Sequence, residues 1–215
     1  MSSLSILRKE LAEIMPDFGM TELNSFQVSI IEAFKSGKNL LVEGPEGTGK
    51  STAIMVAALQ KITEASEGSP RAIIVCRNDQ KAKELKEKFA SYGRYFDLTV
   101  DLITEKGKML HQRNDLFDGT EIIVGTPKRL YELYLQNGYN VSKLKLFVLD
   151  DAIELFKGGF KMQLGRLVDS LPKCQHLLFS TTFNDYRIEE YLEEFIPISQ
   201  HIVAVVDSDN DTDNE

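Results

Sequence analysis

Gly44-Pro45-Glu46-Gly47-Thr48-Gly49-Lys50-Ser51 decides how this chain is read. The stretch fits G-x-x-x-x-G-K-[ST], the P-loop pattern. The apolar run Asn39-Leu40-Leu41-Val42 before it reads as a buried strand, and Ser51 to Lys61 after it as a helix. That strand–loop–helix setting is what the motif requires. Gly47 and Gly49 let the backbone wrap closely around a phosphate, where a Cβ would intrude. Successive N–H groups and the helix N-terminus then face the anion. Lys50 is placed to reach the β- and γ-phosphates of ATP, and Ser51 to offer its hydroxyl to Mg²⁺. The phosphate-binding segment is read as Gly44 through Thr52, with Lys50 exposed in the nucleotide-free loop.

The rest of the composition narrows the field. The 215 residues are 42% hydrophobic, ordinary for a soluble globular protein. No apolar run approaches the ~18 residues of a membrane helix, and Met1 to Lys9 lacks the long apolar segment of a signal peptide. No membrane association is expected. Cys76 and Cys174 sit in apolar, strand-like runs and read as reduced, buried and inert thiols of a cytoplasmic protein. His111, His176 and His201 show no metal-ligand spacing with them. The net charge of −8 does not advertise nucleic-acid binding. Five of those charges fall in the tail, Asp207 to Glu215, which has no base. Its alternating aspartates resemble a calcium loop, but Thr212 stands where the turn glycine belongs. A disordered acidic tail over 207–215 is the expectation.

Taken in order, Leu4, Leu7, Leu11 and Ile14 have helical spacing, so residues 1–16 read as a helical extension stopped at Pro16. Asn24 or Ser25 caps a helix running through Phe34. After the P-loop helix come strands at Arg71–Cys76, Leu98–Ile103, Glu121–Val124, Leu144–Leu149, Gln175–Phe179 and His201–Val206. Helices are expected at Gln80–Phe89, where Leu85 and Phe89 turn inward, and at Lys128–Gln136, Phe160–Leu171 and Asp185–Phe195. Lys106–Leu116 reads as helical or irregular. Short continuous apolar strands alternating with helices specify an α/β domain over 17–206: a mainly parallel sheet of about seven strands, covered on both faces. Such sheets bind ligands at the strand C-termini.

Phe147-Val148-Leu149 runs into Asp150-Asp151. Asp150 is placed to hold Mg²⁺ through water, and Asp151 to orient an attacking water. With this element in place the chain resembles the N-terminal RecA-like domain of DEAD-box RNA helicases over roughly residues 17–206. Asp150-Asp151-Ala152-Ile153 stands where that family has D-E-A-D. Gly19 to Gln27 is similar to the family's Q motif, which implies that Gln27 reads adenine. Thr126-Pro127-Lys128-Arg129 resembles T-P-G-R, which implies contact with RNA backbone. Ser180-Thr181-Thr182 resembles S-A-T, which implies coupling between the nucleotide site and the rest of the enzyme.

The departures are as informative. Both prolines usual in the Q motif are absent. Asp151 is one methylene shorter than Glu, a retreat of roughly 1.5 Å, and a 1 Å misplacement can cost about 100-fold in rate. Ile153 cannot make the polar link from the fourth D-E-A-D position to Ser180 and Thr182. The family's P-T-R-E-L falls on Cys76-Arg77-Asn78-Asp79-Gln80, and its glycine pair is not evident around Thr104-Glu105-Lys106. The resemblance implies arginine fingers on a second RecA-like domain, supplied by the same protein or by a helicase partner in trans. The expectation is an ATP- and Mg²⁺-binding helicase-like domain with weak or absent hydrolysis. It should bind RNA weakly and not unwind it alone. The alternative is a non-enzymatic module that binds nucleotide or RNA and docks on a helicase or ribonucleoprotein.

Overall fold

The computed structural model describes residues 2–65 and 69–205. The expected acidic tail lies outside them. Seven strands form one sheet: β1 (Asn39–Glu43), β2 (Ala72–Val75), β3 (Val100–Ile103), β4 (Ile122–Gly125), β5 (Leu146–Leu149), β6 (Gln175–Ser180) and β7 (Ser199–Val203). Their order is β3-β4-β2-β5-β6-β1-β7, and every pairing is parallel. The strand C-termini therefore lie along one edge, and that edge carries the P-loop, Asp150, Thr126 and Ser180.

Successive strand residues point to opposite faces, and here both faces are covered. Leu40, Val42, Ile74, Val148, Leu177 and Phe179 enter one core, with the helices α2 (Ser25–Lys35), α3 (Lys50–Lys61) and α4 (Asp79–Tyr95). Leu41, Ile73, Val75, Phe147, Leu149 and Leu178 enter the other. That second core is roofed by α6 (Pro127–Leu135), α7 (Ala152–Lys157), α8 (Lys161–Asp169) and α9 (Tyr186–Phe195). Two-sided burial explains why these strands are apolar throughout instead of alternating.

Several boundaries differ from the sequence reading. The opening segment is a 3-10 turn (Ser3–Ile6) and a short α1 (Lys9–Ile14), not one helix. The segment packs on the domain: Leu4, Leu7, Leu11, Ile14 and Met15 enter the first core, and Arg8 donates to the Leu59 carbonyl near the end of α3. The charged helix α4 runs on to Tyr95, because Tyr92 and Gly93 continue its buried stripe past Phe89. Helix α5 spans Met109–Asp118. Helix α7 was not foreseen, since it is only six residues long and starts directly behind the acidic pair. Strand β7 begins and ends earlier than expected: on this sheet edge the polar Ser199 and Gln200 pair with Asn39 and Leu40, while the apolar run that starts at Ile202 continues past the strand's end at Val203. Cys76 is buried, but Cys174 lies just before β6, half-buried, with Sγ 3.6 Å from His176 Nε2. Burial pushes that thiol up to about 11 and the imidazole down to about 4, so the pair stays neutral. Among the described residues no helix is long and apolar enough to cross a membrane.

Candidate functional site

The loop from Gly44 to Gly49 leaves β1 and turns into α3. Gly47 and Gly49 have φ of +85° and +92°, in the left-handed region open to glycine. A Cβ at Gly49 would also lie 2.3 Å from Gln27 Nε2 and displace that amide from the loop. Thr48 Oγ1 donates to the Pro45 carbonyl, and Asn24 Nδ2 to that of Thr48. The Gly44 N–H donates to Ser180 O, which ties the loop to the Ser180-Thr181-Thr182 element.

Lys50 departs from expectation. It is 7% exposed, and its Nζ donates to the carbonyls of Gly44 (2.5 Å) and Pro45 (2.6 Å). The ammonium thus turns back on its own loop. Burial lowers its pKa, against the pull of Asp151, Asp150 and Glu46.

Gln27 is buried as well. It completes a capping box: its N–H donates to Asn24 Oδ1, and its Oε1 accepts from the Asn24 N–H. Its Nε2 donates to the Gly49 carbonyl at 3.3 Å. The side chain thus reaches the P-loop, with its amide engaged in the cap and the loop.

Asp150 and Asp151 end β5. Both line a cavity of about 450 Å³ together with Glu46, Gly47, Gly49, Lys50, Ser51 and Thr52. Asp150 is 4% exposed; burial and then Asp151 push its carboxyl up to about 7. A hydroxyl and a buried carboxyl facing a phosphate loop suit a magnesium ion that keeps several waters. Asp150's raised affinity for a proton is what a divalent cation there would reverse, so Ser51 and Asp150 fit the ion.

Asp151 has a left-handed backbone, φ +58°, which Asp tolerates better than most residues. The register that sets Val75 beside Leu149 carries Arg77 beside Asp151. Arg77 Nε lies 3.4 Å from Asp151 Oδ2, and its guanidinium is 3.9 Å from Glu46 Oε1. Sequence reading missed this pairing. Its one signal was an arginine two residues past a buried strand adjacent to β5.

The polar link at the fourth D-E-A-D position is not lost. Ile153 makes it with its backbone, donating N–H to Ser180 Oγ at 3.3 Å. Ser180 Oγ donates in turn to the Thr182 carbonyl at 2.5 Å. Thr181 is exposed.

Thr126 to Arg129 stand apart, at the end of β4 and the start of α6, outside the phosphate cavity. Thr126 and Arg129 are buried, Pro127 is buried, and only Lys128 is exposed. Thr126 Oγ1 donates to Glu105 Oε2 at 2.5 Å. Arg129 donates to Glu132, to the carbonyls of Gly107 and Glu105, and to Gln112 Oε1. The groups read as RNA contacts thus hold one another's loops, with Glu105 in the middle.

The family model for DEAD/DEAH box helicase matches residues 24–191, and the chain belongs to that family. An ATP-dependent RNA helicase eIF4A of Lodderomyces elongisporus is 30% identical over 166 residues, 77% of this chain and 42% of that protein. Eukaryotic initiation factor 4A of Caenorhabditis elegans is 27% identical over 177 residues, 82% of this chain and 44% of that protein. The chain thus spans less than half the length of these relatives. Among solved structures, a DEAD box protein from Methanococcus jannaschii matches with a TM-score of 0.84 at 20% identity, covering 93% of this chain and 54% of that one. A variant of S. cerevisiae Dbp5 bound to Nup159, Gle1, IP6 and ADP matches with a TM-score of 0.81 at 25% identity, covering 93% and 53%. The fold is that of the RecA-like domain these proteins share.

Proposed function

We propose that this chain is an ATP-binding, helicase-like domain that hydrolyses ATP slowly and binds RNA backbone weakly. Supporting nucleotide binding, the P-loop, Ser51 and Asp150 converge on one cavity with the acids and the lysine the chemistry needs. Lys50 would leave the Gly44 and Pro45 carbonyls for the β- and γ-phosphates, and Gln27 would meet the base. Ser51 and Asp150 would hold Mg²⁺, which when bound neutralises charge on the β- and γ-oxygens.

The observation that carries slow turnover is the pairing of Asp151 with Arg77. The acid that should orient water is both short and drawn toward a guanidinium. Any arginine finger would come from a second RecA-like domain or from a helicase partner in trans. Fingers contribute about 10³–10⁵ in related hydrolases, more than water positioning. The alternative, a regulatory module without turnover, is favoured by Thr126 and Arg129 being satisfied within the chain. Steady-state hydrolysis by wild type and Asp151→Glu, with and without RNA, tests the proposal. Slow rates in both, scarcely moved by RNA, are expected. Wild-type turnover near one per second would refute it, and no measurable turnover with intact ATP binding would favour the regulatory reading.

A further inference from the structure

The phosphate cavity has a second wall that the P-loop reading does not use. Helix α4 contributes Lys81, Glu84 and Lys88 to it. Lys81 sits in the first turn of that helix, where its N–H is capped by Asn78 Oδ1. The helix dipole favours anions in a first turn and opposes a lysine. A cation there runs against local preference and is offset on the same helix by Glu84. Lys81 shares the cavity with Asp150 and Asp151. Behind them Arg77 links Asp151 to Glu46. Asp151 is thereby occupied by a charge of the chain's own.

We propose that Lys81, backed by Arg77, supplies cationic charge that a bound triphosphate would otherwise draw from a divalent ion. This chain then holds ATP with little dependence on Mg²⁺. The inference rests on the nucleotide-binding reading. A triphosphate needs positive charge on more than one side. Lys50 provides it from the loop, and Lys81 provides it from the α4 wall. Glu84, 3.6 Å from the Lys81 ammonium, offers a surface partner that phosphate can replace. Ser51 and Asp150 still accept the ion, but affinity does not hinge on it.

The test is titration of a fluorescent ATP analogue into the full chain, once in Mg²⁺ and once in EDTA. Wild type should bind in EDTA within about tenfold of its affinity in Mg²⁺. Lys81→Ala should weaken binding in EDTA by about tenfold, as expected for one lost charge-assisted contact, and weaken binding in Mg²⁺ much less. Alanine favours the helix, and Lys83→Ala, which removes a lysine paired with Glu87 and 64% exposed, serves as the control for net charge. A larger loss of wild-type affinity in EDTA overturns the inference while nucleotide binding stands. Equal losses for Lys81→Ala in both buffers, or matching losses for Lys83→Ala, overturn the role of Lys81. Absence of binding even in Mg²⁺ overturns the nucleotide-binding reading itself.

Discussion

Glu105→Gln should raise the affinity of this chain for single-stranded RNA. The Glu105 carboxylate accepts the Thr126 hydroxyl at 2.5 Å, and its carbonyl accepts from Arg129 at 3.3 Å. An RNA phosphate using Thr126 and Arg129 must first displace that carboxylate. Hydrogen bonds to charged groups contribute about 1.5–3 kcal/mol and neutral ones about 0.5–1.5. Removing the charge therefore lowers the displacement cost by roughly 1 kcal/mol. It also removes repulsion between the carboxylate and the incoming phosphate. Glu105 is exposed, so a water-like dielectric applies, and two unit charges about 5 Å apart then repel by roughly 0.8 kcal/mol. Together these give about 2 kcal/mol, or roughly thirtyfold in Kd. The gain should shrink as salt rises, since the exposed part is screened. Fluorescence anisotropy with a labelled single-stranded RNA at low and moderate salt measures it. A thermal melt verifies that the variant folds. An unchanged Kd for a folded variant would refute the idea that Glu105 stands in the phosphate's place.

Lys50→Ala should lose most ATP affinity by calorimetry; affinity equal to wild type would sink the site. Because Lys50 also holds two loop carbonyls, the variant should melt lower without nucleotide, as an exposed lysine would not. Gln27→Ala should cost about 1 kcal/mol through the lost cap and narrow any preference for ADP over GDP. If wild type binds both equally, the base-reading role fails. Asp150→Asn should stabilise the nucleotide-free chain at pH 8 and not at pH 4. The Asp150 carboxyl titrates at about 7 when folded and at about 3.9 when unfolded. Its protonated form thus adds stability below the lower value, and that stability is lost as pH rises through the upper one. Melting midpoints should diverge by about 2–4 °C per kcal/mol, and a difference independent of pH would contradict the burial argument.

The P-loop and the acidic pair were legible because local chain chemistry dictates them: Gly49 must take a positive φ, and Asp150 must follow a fully apolar strand. The parallel sheet was legible for the same reason, in runs such as Ala72–Val75 with no polar face. What stayed hidden lies through space. Arg77 meets Asp151 only because β2 and β5 are neighbours, and Glu105 meets Thr126 across 21 residues. Burial of Lys50 was missed because its carbonyl partners belong to the backbone, which the sequence does not distinguish. Ile153 was misjudged likewise: the link passes through an N–H that every residue but proline carries.

The left-handed backbone at Asp151 makes exchange at this position asymmetric. Such a conformation costs roughly 1–2 kcal/mol for most side chains, and Asp is among the few that enter it readily. Going from glutamate to aspartate here relaxes the chain while it retracts the carboxylate. Going back restores reach and reintroduces strain. On backbone grounds alone, such a position favours the shorter acid. A laboratory lineage selected for faster hydrolysis would have to overcome that preference first, so compensating changes in the packing of α7 should precede or accompany glutamate in the winners.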